Sequence, residues 1–351
     1  MNHKVKNLYI HIPFCKSICT YCDFVRQIPK SQVQEDQYIN LICSQINKEI
    51  KNKFKTIYIG GGTPDSLSFN NLEKLLKVCK KIRSFNCEFT IEANPEFINL
   101  EQVKLFQQYK VNRISLGVQS ANEKINQKFN RKHSINDVCD AIKLLKKHNI
   151  NNISLDFIYG YESMSLKDIK DDIDFVTNNK IPHVSFYSLE VKNNSILAKQ
   201  DYHENELKIE EQLAYIIKKM HDNNFIRYEI SSWCIDKKYQ SKHNLCYWNT
   251  NDWKAIGLGA YGLENMNYYH YEGNIEKMCK INKIYTLKEY YFQVLMMGFR
   301  LASGLDLKNK LHKKAFNYFK HKINENLITI KKHHVIAKNI NQIDEILISI
   351  I

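Results

Sequence analysis

The sequence predicts an α/β chain whose parallel strands curve into a partial barrel. Two observations carry this reading. Short β-rich runs alternate with longer helical patterns, and the runs end in glycine or polar residues. Such alternation requires parallel strands joined by helical crossovers. In sheets of this kind chemistry gathers at the carboxyl ends of the strands.

The first run, Leu8–Ile12, alternates Tyr9 and His11 with aliphatic residues, so the two rings share a face toward the barrel interior. It leads directly into Cys15, Cys19 and Cys22. The second, Thr56–Ile59, ends in GGGTP (60–64), and the third, Glu88–Glu92, ends in Glu92-Ala93-Asn94-Pro95. Gln119 and Ser120 follow the fourth, Arg113–Val118, while Asp156 sits near the end of the fifth, Asn152–Phe157. His183–Leu189 is the sixth. Between them, LEKLLKVCKKI (72–82) and INDVCDAIKLLKKH (135–148) place apolar residues at three- and four-residue spacing, as one-sided helices require. Residues 1–190 thus read as a partial (β/α)6 TIM-type barrel, with five strand ends aimed at one mouth.

From 191 the repeat is lost. Residues 191–284 read as a barrel-covering extension, with a polar connection (191–206), a helix near 207–222 and an aromatic-rich stretch (225–262). Residues 285–351 read as a small accessory unit of winged-helix kind, in which helical runs flank the β-like LITIKKHHVI.

Composition narrows the function classes. With 44% hydrophobic and 25% charged residues, the 351-residue chain is ordinary for a globular protein. No apolar run approaches the roughly 18 residues of a membrane-spanning helix. MNHKVKNLYIHIPF lacks a signal-peptide core, so a cytoplasmic protein is expected. The net charge of +14 comes from scattered lysines rather than a stripe, which argues against a nucleic-acid partner and suits an acidic small molecule. Of ten cysteines only three cluster, and the other seven read as reduced, mostly buried side chains.

The cluster, Cys-x3-Cys-x2-Cys, lacks the second Cys or His pair of a zinc ribbon. Three thiolates around a [4Fe–4S] cube leave one iron open to a non-protein ligand. The amino and carboxylate groups of S-adenosylmethionine (SAM) can fill that position, and reduction then places an electron beside the sulfonium.

With this spacing after the first strand, the chain resembles the radical SAM superfamily. LYIHIPFC…C.YCDF, GGGTP, EANPE, RISLGVQS, SLDFIYG, YEIS, HNLCYW, GLGA and GFRL..GLDL occur in order. Over roughly residues 7 to 310 they resemble the oxygen-independent coproporphyrinogen III oxidase group, and within it the haem-chaperone branch. The resemblance implies a [4Fe–4S] cluster on Cys15, Cys19 and Cys22. It implies SAM contacts from Tyr9, from Gly61, Gly62 and Thr63 at the methionine end, and from Glu92 at the ribose hydroxyls or ammonium. Tyr21, Gln119, Arg131 and Asp156 would complete the ligand contacts around a second SAM. HNLCYW matches the HNxxYW signature of the branch, making His243 the expected haem-iron ligand, with Tyr247 and Trp248 enclosing the macrocycle.

Haem is then the cargo, and an unidentified haem-acceptor protein and the iron–sulfur assembly machinery are the implied partners. No transmembrane segment is expected, and peripheral membrane contact is left open. Whether the chain is an enzyme is also open. The oxidase, or another tetrapyrrole-acting radical SAM enzyme, is the alternative to the carrier. The carrier is favoured by Phe24, which stands where the oxidases have a further cysteine, and by the short segment before Cys15. Departures from the family pattern are Asn130 for glycine, Tyr161-Glu162 for the usual Gly-Leu-Pro, and Tyr261-Gly262 for His-Ser.

Overall fold

The structure is a computed structural model and describes residues 4–351. The first half runs β1 (Asn7–Ile12), α1 (Gln32–Asn47), β2 (Phe54–Gly61), α2 (Phe69–Ile82), β3 (Arg83–Ala93) and α3 (Leu100–Tyr109). It continues through β4 (Arg113–Gln119), α4 (Glu123–Lys128), α5 (Ile135–Lys147), β5 (Ile153–Tyr159), α6 (Leu166–Asn178) and β6 (His183–Ser188). The six runs read as strands are these six strands, paired in parallel in sequence order.

After α7 (Ile196–Lys199) and α8 (Glu206–Asp222) the chain rejoins the sheet. β7 (Ile226–Glu229) and β8 (Ser232–Cys234) add beyond β6 in antiparallel fashion. Following α9 (Lys242–Trp248), β9 (Lys254–Ile256) pairs in parallel with β1. The nine-stranded order β7-β8-β6-β5-β4-β3-β2-β1-β9 has two free ends, so the barrel is partial. The aromatic-rich stretch after 225 therefore extends the sheet at both of its ends.

β10 (Tyr261–Glu264), β11 (Asn267–Gly273) and β12 (Met278–Lys283) form an antiparallel sheet. The tail follows as α10 (Leu287–Phe299), β13 (Leu305–Asp306), α11 (Lys310–Phe319), β14 (Ile328–Lys331), β15 (His334–Ala337) and α12 (Ile343–Ile348). Its strands form a three-stranded sheet ordered β13-β15-β14. Among the described residues no helix is long and apolar enough to cross a membrane.

Period-2 alternation explains how the barrel serves a site. Ile57, Ile59, Phe89, Ile91, Ile114, Leu116, Leu155 and Phe157 are buried on the face that meets the helices. The helices answer with one apolar stripe each, such as Leu72, Leu75, Leu76, Cys79 and Ile82 on α2. Each such side chain contributes about 1.5–3 kcal/mol on leaving water. Capping boxes at Ser134 with Asp137 and Ser165 with Asp168 start α5 and α6 where the pattern begins. The opposite face of the strands is polar, carrying Thr56, Glu88, Thr90, Arg113, Ser115 and Ser154 in buried positions. A barrel interior of this kind is not an aliphatic plug; it holds hydrogen-bonding groups in fixed order along the strands.

Candidate cofactor site at the carboxyl ends of the strands

A cavity of about 370 Å³ opens at the carboxyl ends of β1–β6. Cys15, Cys19, Tyr21, Cys22, Gly61, Gly62, Thr63, Glu92, Gln119, Arg131 and Asp156 all line it. Residues spread over more than 140 positions of sequence (156 − 15 = 141) thus meet at one mouth.

The cysteine loop is held by its backbone rather than by its thiols. Gln27 N–H donates to the Pro13 carbonyl (2.7 Å), and Cys15 N–H donates back to Gln27 (3.0 Å), closing the loop at its base. Its far side is tied to the turn after α4. Thr20 N–H donates to the Phe129 carbonyl (3.2 Å), and the Asn130 side-chain amide donates to the Ile18 carbonyl at 2.7 Å. Asn130 sits at φ 57, the left-handed region that glycine favours and asparagine tolerates, so the departure from the family's glycine keeps the backbone and adds an anchor.

All three cysteines are free. Burial raises the Cys15 thiol and pushes Cys22 up to about 12, while the Arg26 charge pulls both the other way. Thiols so placed keep their protons until a cationic group draws them off, which is the chemistry of a metal-cluster ligand set. The glycine loop leaves room for one. A Cβ on Gly62 would lie 2.9 Å from Cys15 Sγ and 2.6 Å from the Phe14 carbonyl, so any side chain there would press on the cysteine. Gly61 holds φ 114, open to glycine alone without strain. Thr63 Oγ1 donates to Cys15 Sγ at 3.5 Å. The donor set and the cradle fit a three-thiolate iron–sulfur cluster.

Beside the thiols lies a carboxylate wall. Glu92 accepts from the Tyr58 hydroxyl (2.7 Å) and from Gly61 N–H (3.0 Å). Burial raises it to about 7 against these two hydrogen bonds. Asp156 is raised by burial too, and accepts from Ser115 Oγ at 2.7 Å. Arg131 lines the same cavity, its Nη2 donating to Asn94 Oδ1 (2.8 Å) and the Gly117 carbonyl (2.7 Å), with Nη1 3.7 Å from Cys19 Sγ. Gln119, at φ 64 beside an irregularity in the β4–β5 register, lies at the same wall. One cavity therefore offers carboxylates for a cation or a diol and a guanidinium for an anion. Sequence reasoning did not single out Tyr58 or Ser115. Alternation would have found both, since Tyr58 lies two residues before Gly60, and Ser115 lies four residues before Gln119 on the same strand. Arg26 carries no pattern that could have revealed it.

Tyr9 and His243 are placed elsewhere. Tyr9 shares its face with His11 as expected, and its hydroxyl meets His11 Nδ1 at 2.9 Å, one layer beneath the glycine loop. Its ring packs 6.0 Å from Tyr58 and 6.4 Å from His243. His243 is 1% exposed, at the amino end of the barrel. Thr56 Oγ1 donates to Asn7 (3.1 Å), so it accepts from His243 Nδ1 at 2.7 Å, and Nε2 takes the Tyr247 hydroxyl at 2.7 Å. Burial and the Arg113 charge lower the imidazole to about 3, so it is neutral. The first N–H groups of α9, those of Lys242 and His243, donate to the Glu88 carboxylate at 3.1 and 3.0 Å. Trp248 packs under the Arg300 guanidinium, 4.5 Å away. In this fold neither His243 nitrogen is free to ligate iron.

The sequence model of the Radical SAM superfamily matches residues 9–176. The heme chaperone HemW of Lactococcus lactis subsp. lactis (strain IL1403) is 33% identical over 320 residues, 87% of this chain and 84% of that one. That of Bacillus subtilis (strain 168) is 35% identical over 273 residues, 74% and 71% of the two chains. Among solved structures, the coproporphyrinogen III oxidase (HemN) of Escherichia coli, a radical SAM enzyme, superposes with a TM-score of 0.83 at 15% identity, covering 99% of this chain and 90% of that one. That likeness concerns the fold. By its sequence likeness the chain belongs to the HemW family of the radical SAM superfamily.

Proposed function

We propose that the chain is a haem chaperone that binds haem and passes it to an acceptor protein, carrying a [4Fe–4S] cluster on Cys15, Cys19 and Cys22 with exchangeable SAM. The observation that carries this reading is a cavity lined by three free thiols in a chain alike, over most of its length, to relatives named heme chaperones. A cluster held there would supply an electron and an open coordination position for SAM. The chain's own part is to hold and orient. Gly61, Gly62 and Thr63 receive the methionine end, Glu92 takes the ammonium or the ribose hydroxyls, and Arg131 takes a carboxylate. Tyr21, Gln119 and Asp156 bound the remaining space. Haem ligation by His243 requires α9 to leave its seat, because both ring nitrogens are engaged where it stands.

The role given to Glu92 makes SAM affinity depend on pH. The binding form is the carboxylate, and the folded group titrates near 7, above its usual range. Affinity therefore rises with pH and levels above 7, falling about tenfold per pH unit below it. Equilibrium dialysis of the anaerobic protein with labelled SAM checks this. Glu92→Gln should bind weakly and lose the slope; a slope kept in the variant removes Glu92 from the contact.

The oxidase reading competes through the shared fold. Phe24, 62% exposed at the cavity, stands where that branch has a cysteine. With coproporphyrinogen III, SAM and reductant, no protoporphyrinogen is expected; repeated turnovers would transfer the chain to the oxidases.

A further inference from the structure

The C-terminal unit holds a second group of ligand side chains, independent of the haem reading. Asp306 on β13, His333 in the turn between β14 and β15, and His334 at the start of β15 each offer one ligand atom, and these atoms all lie within 4.8 Å of one another. We propose that these three residues bind one divalent transition-metal ion, for which Zn²⁺ is the natural match to two imidazoles and a carboxylate.

The backbone presets the site. β13 pairs antiparallel with β15, placing Asp306 opposite His334. Leu307 N–H donates to the His333 carbonyl at 2.7 Å, so the two segments are clamped on both sides of the ligands. The turn that carries His333 is tight, with Lys332 at φ 57 and Lys331 opposite His334. His333 Nε2 lies 3.7 Å from Asp306 Oδ1, and the two imidazole centroids are 4.3 Å apart. Tetrahedral coordination with bonds of about 2.0–2.1 Å sets ligand atoms about 3.3 Å apart, so small side-chain rotations complete the set. All three side chains are half-buried, which leaves them free to rotate and leaves outer positions for water.

Two neighbours define the limits. His312 is buried, accepting Asp306 N–H at Nδ1 (3.2 Å) with Nε2 3.2 Å from the Asn249 carbonyl, so it fixes the strand and is not a ligand. Lys308 N–H donates to Asp306 Oδ1 at 2.9 Å and brings a cation close, which weakens the site without blocking the other carboxylate oxygen. An ion here would staple the loop after α10 to the β14–β15 hairpin.

The test uses the full chain with its iron–sulfur cluster loaded, under anaerobic conditions, with Co²⁺ and then Zn²⁺ as probes. Expected are saturation at one Co²⁺ per chain, d–d bands without new thiolate charge transfer in the difference spectrum against the same protein before cobalt, and a higher thermal midpoint with Zn²⁺. Asp306→Asn and the pair His333→Gln/His334→Gln should each weaken binding at least about tenfold while leaving cluster iron unchanged. Should the double variant fail to fold, Asp306→Asn, which keeps the volume, decides. Affinity unchanged in the variants, thiolate-to-cobalt bands, or no saturable binding would each overturn the assignment.

Discussion

Alanine at Cys15, Cys19 and Cys22 together leaves a folded protein whose bound iron and broad visible absorbance drop to background. The loss follows from the donor set, because among the described residues no other cysteine lines the cavity. The retention of fold follows from how the loop is built. Its closing bonds run between Pro13, Cys15 and Gln27 backbone groups, and its far side hangs from Phe129 and Asn130. None of these uses a sulfur. Cys15→Ala removes one weak partner of Thr63 and a single sulfur atom from beside the glycine loop. Iron analysis and circular dichroism on the anaerobically reconstituted triple variant provide the check. Iron retained in full sinks the cluster assignment. Iron lost together with the fold would mean that the thiols, not the backbone, organise the loop.

Much of the site could be read before folding because strand-end residues and short motifs are local signals. GGGTP, EANPE and the cysteine spacing sit at the ends of β1–β3, and period-2 alternation sends Glu92 and Asp156 inward with no knowledge of their partners. β7, β8 and β9 were not legible. Two of them are three residues long, too short for a period, and β9 pairs with β1 across some 250 residues (254 − 8 = 246). The same distance hides the setting of HNLCYW. Its histidine takes Thr56 at a separation of 187 residues and its backbone takes Glu88 at 155. A resemblance carries a motif's association across a family, whereas the hydrogen bonds that occupy the imidazole depend on what the fold brings beneath it. Asn130 is the opposite case. The departure from the family's glycine, which left the local backbone open, falls at a left-handed position, and asparagine fills such a position with a side chain to spare for Ile18.

His243→Ala separates the two roles open to α9. As folded, the imidazole bridges Thr56 and Tyr247 beneath Tyr9 and Tyr58, its ring 5.1 Å from that of Tyr58. Removing it leaves two buried hydroxyls short of a partner and a ring-sized void, together costing on the order of 3 kcal/mol. Glu88 still accepts from the α9 backbone, so the helix remains seated and the protein folds with a lower thermal midpoint. A haem titration followed by the Soret band, run on parent and variant in parallel, then reads the site. Because both ring nitrogens are engaged where they stand, the expected result is saturation near one haem per chain in both proteins, with the variant less stable. An unchanged midpoint with haem binding lost would reverse this. It would mean that the imidazole contributes little where it sits, and that α9 swings out to present His243 to the iron.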